Sequence, residues 1–165
     1  NLKGRGREVG IAHFNLDRVA SNTMASHRLV QWVTKTLGVN AAENMYNDLN
    51  QKHFEGGVKL NDREMLLEAA VAVGADRDAA AAFLEDENEG RPEIEAAQRQ
   101  LRDLGVSGIP TLILGGKYQL PSGAHHAESL IRAFRQVEAE GGATGSAFAA
   151  ALSIPDEVMA ETIRL

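Results

Sequence analysis

The stretch "GVSGIPTLILGGKYQLPSG", residues 105–123, places a single proline between a Gly-Ser-Gly approach and two short apolar runs. The runs "TLIL" and "KYQL" meet at Gly115-Gly116, a pair typical of a β-hairpin turn. Pro110 fits a trans proline at the start of an edge strand and a cis proline equally well. Because an isolated two-stranded hairpin is marginal in water, this one needs neighbouring strands, and the rest of the chain offers no good candidate.

The chain upstream of the hairpin has the apolar spacing of amphipathic helices. Five helices are predicted, spanning 22–37, 41–53, 61–73, 76–84 and 92–104. Asn61 followed by Glu64 resembles a capping box, and Asp76 is a second capping residue. The residues predicted to face the core are Leu29, Val30, Val33, Leu37, Met45, Leu49, His53, Met65, Leu66, Ala69, Ala70, Val73, Ile94, Ala97, Leu101 and Leu104.

The chain downstream of the hairpin predicts one longer helix and a short one. The longer helix ends near Ala139, and a linker, "EGGATGSA" (140–147), separates it from a tail helix that begins at Pro155. The residues expected on the buried face of the longer helix are Ala127, Leu130, Ile131, Phe134 and Val137.

Composition and charge exclude several classes of function. The chain has 165 residues, a net charge of -6 and a pI of about 5.4, which disfavours a nucleic-acid partner. No apolar run approaches the roughly 20 residues of a membrane span. The sequence contains no cysteine, so the chain itself forms no disulfide and no thiolate metal site. None of these features decides the compartment.

Two segments carry a resemblance to a known family. "NTMASHRLVQWV" (22–33), residues 105–125 and the helix-rich stretch between them resemble the DsbA-like thioredoxin superfamily, and within it the FrnE-type thiol–disulfide oxidoreductases. Relatives include 2-hydroxychromene-2-carboxylate isomerases and kappa-class glutathione transferases. The likeness covers roughly residues 7–138. It implies an α/β thioredoxin-like fold that is mostly helical because a helical domain is inserted into it.

The resemblance also implies a domain organisation. Residues 1–21 are an entry segment, 22–104 the helical insertion, 105–140 the closing β-β-α half of the thioredoxin unit, and 141–165 a linker and tail helix. The opening β-α-β half, which carries the CxxC motif or a serine in the family, is expected before residue 1. We expect that missing segment or a protein partner to complete the sheet.

A binding loop is the first site that the resemblance implies. Ile109–Pro110 would be a cis peptide that faces the redox motif, and the backbone of Ile109 would pair with a peptide or glutathione. Gly108 would leave that backbone accessible. Ser122, Gly123 and Ala124 are expected at a helix start, where free N–H groups could hold a carboxylate of glutathione. The alternative for Ser122 is ordinary N-capping.

Asn22, His27 and Arg28 of the first segment form a second candidate site. One interpretation places these polar groups beside the active cleft. The other has Asn22 or Thr23 capping a helix while His27 and Arg28 join a hydrogen-bond network at a domain interface. The five histidines lack metal-ligand spacing, so neither a metal nor a cofactor is expected.

Three functions remain open from the sequence. The chain could be the larger part of a thiol–disulfide oxidoreductase, inactive as it stands because it has no redox cysteine. It could instead be a redox-dead subunit with a structural role in an assembly. A glutathione-dependent isomerase or transferase is the third.

Overall fold

The computed structural model describes residues 2–11, 13–116, 118–142 and 148–160. These residues form eight helices and one hairpin, which confirms the prediction of a mostly helical chain with a small sheet. The elements are α1 Leu2–Glu8, α2 Met24–Leu37, α3 Val39–Phe54, α4 Arg63–Ala72, α5 Arg77–Glu85, α6 Arg91–Asp103, β1 Ile113–Leu114, β2 Tyr118–Gln119, α7 Ala127–Ala139 and α8 Asp156–Met159. The predicted linker lies mostly outside the described residues.

The chain divides into two units at the start of α6. The first unit runs to Arg91 and the second is Pro92–Ala160. The domain boundary predicted from the sequence, between 104 and 105, lies at the end of this helix and stays a prediction. In the structure α6 therefore groups with the hairpin that follows it.

The core of the first unit is built by α2, α3, α4 and α5. Leu29 and Val33, one turn apart on α2, are completely buried, as is Met45 on α3. His53 is buried with them and places Nδ1 2.8 Å from the carbonyl oxygen of Val58, so the polar ring has a partner. Periodicity predicted this core closely. Leu37 is the exception: it is 40% exposed because it is the last residue of α2.

Two aspartates cap helices of the first unit. The Asp62 side chain accepts a hydrogen bond from the Met65 N–H at 3.0 Å, and Asp76 accepts one from the Ala79 N–H at 2.8 Å. The Asp76 prediction is confirmed. The predicted capping by Asn61 is wrong by one residue, because the next residue along the chain, Asp62, supplies the cap.

The second unit contains a short hairpin with its own register. Leu114 pairs with Tyr118 and Ile113 with Gln119. Gly115 and Gly116 have φ of 61° and 75°, the left-handed conformations that the predicted turn requires.

The helices of the second unit bury less than their patterns predict. Of the five residues expected on the buried face of α7, Val137 alone is buried, while Ile131 is 47% and Phe134 50% exposed. Two-residue strands are too short to cover a helix of 13 residues. On α6 the predicted face is only half-buried from Ile94 to Leu101, and Leu104, just past its end, is 46% exposed.

Candidate functional site

Residues Gly108–Pro110 form an exposed loop immediately before the hairpin. The peptide bond between Ile109 and Pro110 is cis. Ile109 is 94% exposed, the largest value among the exposed apolar residues described. In the described part of the chain, no hydrogen bond uses the Ile109 N–H or carbonyl group. One backbone donor and one acceptor are therefore open to a ligand.

The loop is held by hydrogen bonds to the segment that follows the hairpin. The Thr111 hydroxyl donates to the carbonyl oxygen of Gly108 at 2.7 Å and lies 2.8 Å from Ser122 Oγ. Because a hydroxyl has one proton, Ser122 is the donor in that second contact. The Gly123 N–H donates to the carbonyl oxygen of Pro110 at 2.8 Å. The structure thus brings two of the sequence-predicted groups together.

Thr111 is a site residue that the sequence analysis missed. It is the polar first residue of the run "TLIL", directly after the loop proline. Its position could have identified it from the sequence, since a polar residue directly after a loop can hydrogen-bond back to the loop.

The predicted helix start at Ser122, Gly123 and Ala124 is wrong. Helix α7 begins at Ala127, and His126 before it has extended backbone angles and no side-chain cap bond. Gly123 adopts a φ of 123°, and the His125 ring places Nε2 2.8 Å from the Pro121 carbonyl oxygen. Because this turn places the start of α7 at Ala127, Ser122 does not cap the helix. Ser122 instead hydrogen-bonds to Thr111 beside the loop.

Asn22 lies just before α2, and His27 lies in its first turn. Asn22 Oδ1 accepts a hydrogen bond from the Met24 N–H at 2.8 Å, whereas Thr23, at the N-cap position, makes no side-chain cap bond. His27 is exposed, although neighbouring protein atoms partly desolvate its ring and lower its pKa. Of the two capping alternatives, the structure selects Asn22.

Arg28 is buried, and its hydrogen bonds are made within the first unit. Its guanidinium donates to the carbonyl oxygens of Phe83 at 3.1 Å, Asp86 and Glu89, and it lies 5.0 Å from the centre of the Phe83 ring. Every one of these partners belongs to the first unit. The hydrogen bonds of Arg28 thus join α2 to the end of α5 and the loop after it.

The charged guanidinium of Arg28 is buried and lies near a second arginine. Burial lowers its pKa most and the nearby Arg91 lowers it further, while the carboxylates of Asp86, Glu89 and Glu87 act in the opposite direction. An arginine pKa begins so far above neutrality that the side chain stays charged. A buried cation thus lies beside a second cation.

Within the described ranges, neither a metal-ligand cluster nor a membrane-spanning helix is found. No group of three or more His, Asp or Glu side chains there could hold a metal ion. None of the helices described is both long enough and apolar enough to cross a bilayer.

The chain matches a known protein family. The model of the DSBA-like thioredoxin domain family matches residues 4–135. No curated protein matches the chain. The match begins in α1 and ends within α7, so it includes both the Arg28 region and the Gly108–Pro110 loop.

Proposed function

The chain belongs to the DSBA-like thioredoxin domain family, and from this premise we propose that it is the substrate-binding part of a FrnE-type thiol–disulfide oxidoreductase. In this proposal the first unit corresponds to the helical insertion, and the hairpin with α7 to the closing half of a thioredoxin unit. The family is oxidoreductase-like. The FrnE-type branch, the ligand and the roles of the two units are what we propose.

The observation that carries the proposal is the open backbone of Ile109. An extended peptide pairs with a protein by exchanging N–H and carbonyl hydrogen bonds, as a neighbouring strand does. Ile109 offers one group of each kind on a loop braced by Thr111, Ser122 and Gly123. The ligand is a cysteine-containing peptide segment or glutathione, which is itself a peptide.

The chemistry assigns binding, and not electron transfer, to this chain. Thiol–disulfide exchange begins when a thiolate attacks a disulfide sulfur, and the sequence contains no cysteine. Residues 1–165 therefore bind and orient the disulfide, while the attacking thiolate belongs to a segment or partner outside them. The same segment or partner would complete the sheet beside the hairpin.

A redox-inactive assembly subunit is the second candidate function. The exposed apolar side chains of Ile131 and Phe134 on α7 favour it, because paired exposed apolar residues often mark a surface that another protein covers. In that case the loop would be a structural remnant and would bind neither peptide nor glutathione.

The proposed function is tested by following backbone amide NMR signals of the chain during titration with oxidised glutathione or a short extended peptide. We expect saturable shifts for Ile109 and its loop neighbours. Thr111→Val removes both hydroxyl contacts while keeping the side-chain shape, so it should weaken binding about tenfold. The control is Thr36→Val, which removes a hydroxyl bonded to the Trp32 carbonyl within α2.

Two results would contradict the proposal. One is the absence of shifts in the loop at millimolar ligand, which favours the assembly subunit. The other is acceleration of insulin reduction by dithiothreitol with this chain alone, because that activity would require a redox group the proposal places elsewhere.

A further inference from the structure

A cavity of about 320 Å³ lies in the first unit. Its walls come from the start of α2, the start of α4 and the loop between α5 and α6. The charged side chains that line it are Arg28, Arg63, Arg91 and Glu87, and Asn22 and Asn61 add two amides. Three cations thus meet one anion in a chain whose net charge is -6.

The three guanidinium groups are anchored by neutral backbone carbonyls. Arg63 Nη2 donates to the Ala81 oxygen at 3.1 Å, and Arg91 Nε donates to the Glu87 oxygen at 3.2 Å. These bonds fix each group while leaving its remaining N–H donors for another partner. The buried Arg28 also has donors left: its hydrogen bonds in the described structure use Nε and Nη2, and none uses Nη1.

The ion pairing of Arg63 and Arg91 differs from that of a matched arginine elsewhere in the first unit. Among the residues described, neither Arg63 nor Arg91 comes within ion-pair distance of a carboxylate. Arg77 provides the contrast: like Arg63 it is the first residue of a helix behind a capping aspartate, but its charge meets Glu64 at 2.6 Å. Repulsion between Arg91 and Arg28 is one reason why the Arg28 pKa is lowered.

The start of α2 contributes a fourth positive feature. Ala25, in the first turn of this helix of 14 residues, lines the cavity. Its N–H has no hydrogen bond within the described part of the chain. Free N–H groups at a helix start attract anions.

We propose that this cavity binds a small oxyanion, a phosphate or carboxylate group on a molecule of low mass, between Arg28, Arg63 and Arg91. Guanidinium groups bind both kinds of oxyanion through paired N–H donors. The volume lies at the small end of the ligand sites found in proteins, which span ~300–1,000 Å³. The site lies wholly in the first unit, so it stands independently of the peptide-binding loop.

The test is isothermal titration calorimetry of the chain at low ionic strength, in a zwitterionic buffer, with inorganic phosphate and malonate as separate probes. We expect saturable one-to-one binding of at least one probe. The double variant Arg63→Gln and Arg91→Gln should weaken binding at least about tenfold, because charge-assisted bonds are lost. Both residues line the cavity, and circular dichroism verifies the fold.

Two further variants make the result specific. Arg77→Gln removes the same charge from the matched position outside the cavity and should change affinity less than about twofold. Glu87→Gln removes the one carboxylate of the cavity wall and should tighten binding, which a general loss of structure would not do.

Each outcome has a meaning. Binding of phosphate alone identifies a phosphate-bearing ligand, binding of malonate alone a carboxylate ligand, and binding of both an oxyanion of either source. The proposal is overturned if neither probe saturates, if Arg77→Gln weakens binding as much as the cavity variants, or if Glu87→Gln weakens it.

Discussion

The first unit buries far more apolar surface than the second. All but two of the buried apolar residues described belong to it, and the exceptions are Val137 and Val158. The helical pattern is nevertheless as regular on α7 as on α2. A regular pattern therefore shows that a helix can be buried on one side, whereas actual burial depends on what the surrounding chain supplies.

The largest expected difference between the units is in the response to core truncation. Leu66→Ala, at a residue 1% exposed, should destabilise the first unit by about 2–5 kcal/mol, since it removes apolar contacts and leaves a cavity. Ile131→Ala on α7 should cost about 0.5 kcal/mol or less. Urea unfolding measures both. Equal costs would mean that α7 is covered in solution by another molecule.

The helix caps offer a smaller comparison. Asp76→Ala removes the bond to the Ala79 N–H and should cost about 1 kcal/mol. His126→Ala, at the corresponding position of α7, removes no cap bond and should change stability by less than about 0.5 kcal/mol. Thermal unfolding of both variants provides the measurement, and a larger loss for His126→Ala would contradict the cap assignment.

The smallest expected effect is on pH dependence in the first unit. Desolvation lowers the pKa of His27 in the folded chain, so the unfolded chain binds the proton more readily. Stability from this group is therefore complete above the unfolded pKa of ~6.5 and is lost as pH falls through that value towards the folded pKa. Urea midpoints compared at pH 7.5 and 5.5 should differ less for His27→Gln. An unchanged difference would contradict this role.

Sequence alone predicted most of the local features, but it misplaced the cap of α4 by one residue and the start of α7 by several. The order of the helices, the Asp76 cap and the hairpin turn depend on neighbouring residues, so composition and spacing are sufficient to predict them. The exposure of Phe134 depends on surfaces that a single helix cannot reveal.

The candidate sites follow the same rule. The binding role of Gly108–Pro110 was predicted from the family resemblance, which a contiguous stretch of sequence carries. The contact between Thr111 and Ser122 was missed because the whole hairpin separates them. The convergence of Arg28, Arg63 and Arg91 requires α2 and α4 to pack and the loop after α5 to bring Arg91 beside them. No spacing along the chain encodes that arrangement.

Arg28 also determines which positions in the α5–α6 loop can vary. Its partners in that loop are the main-chain carbonyls of Asp86 and Glu89, not their side chains. A main-chain carbonyl is present whatever residue carries it. A change of residue 89 can therefore keep this hydrogen bond and the shape of the loop, while it removes a carboxylate that offsets the burial of the Arg28 charge.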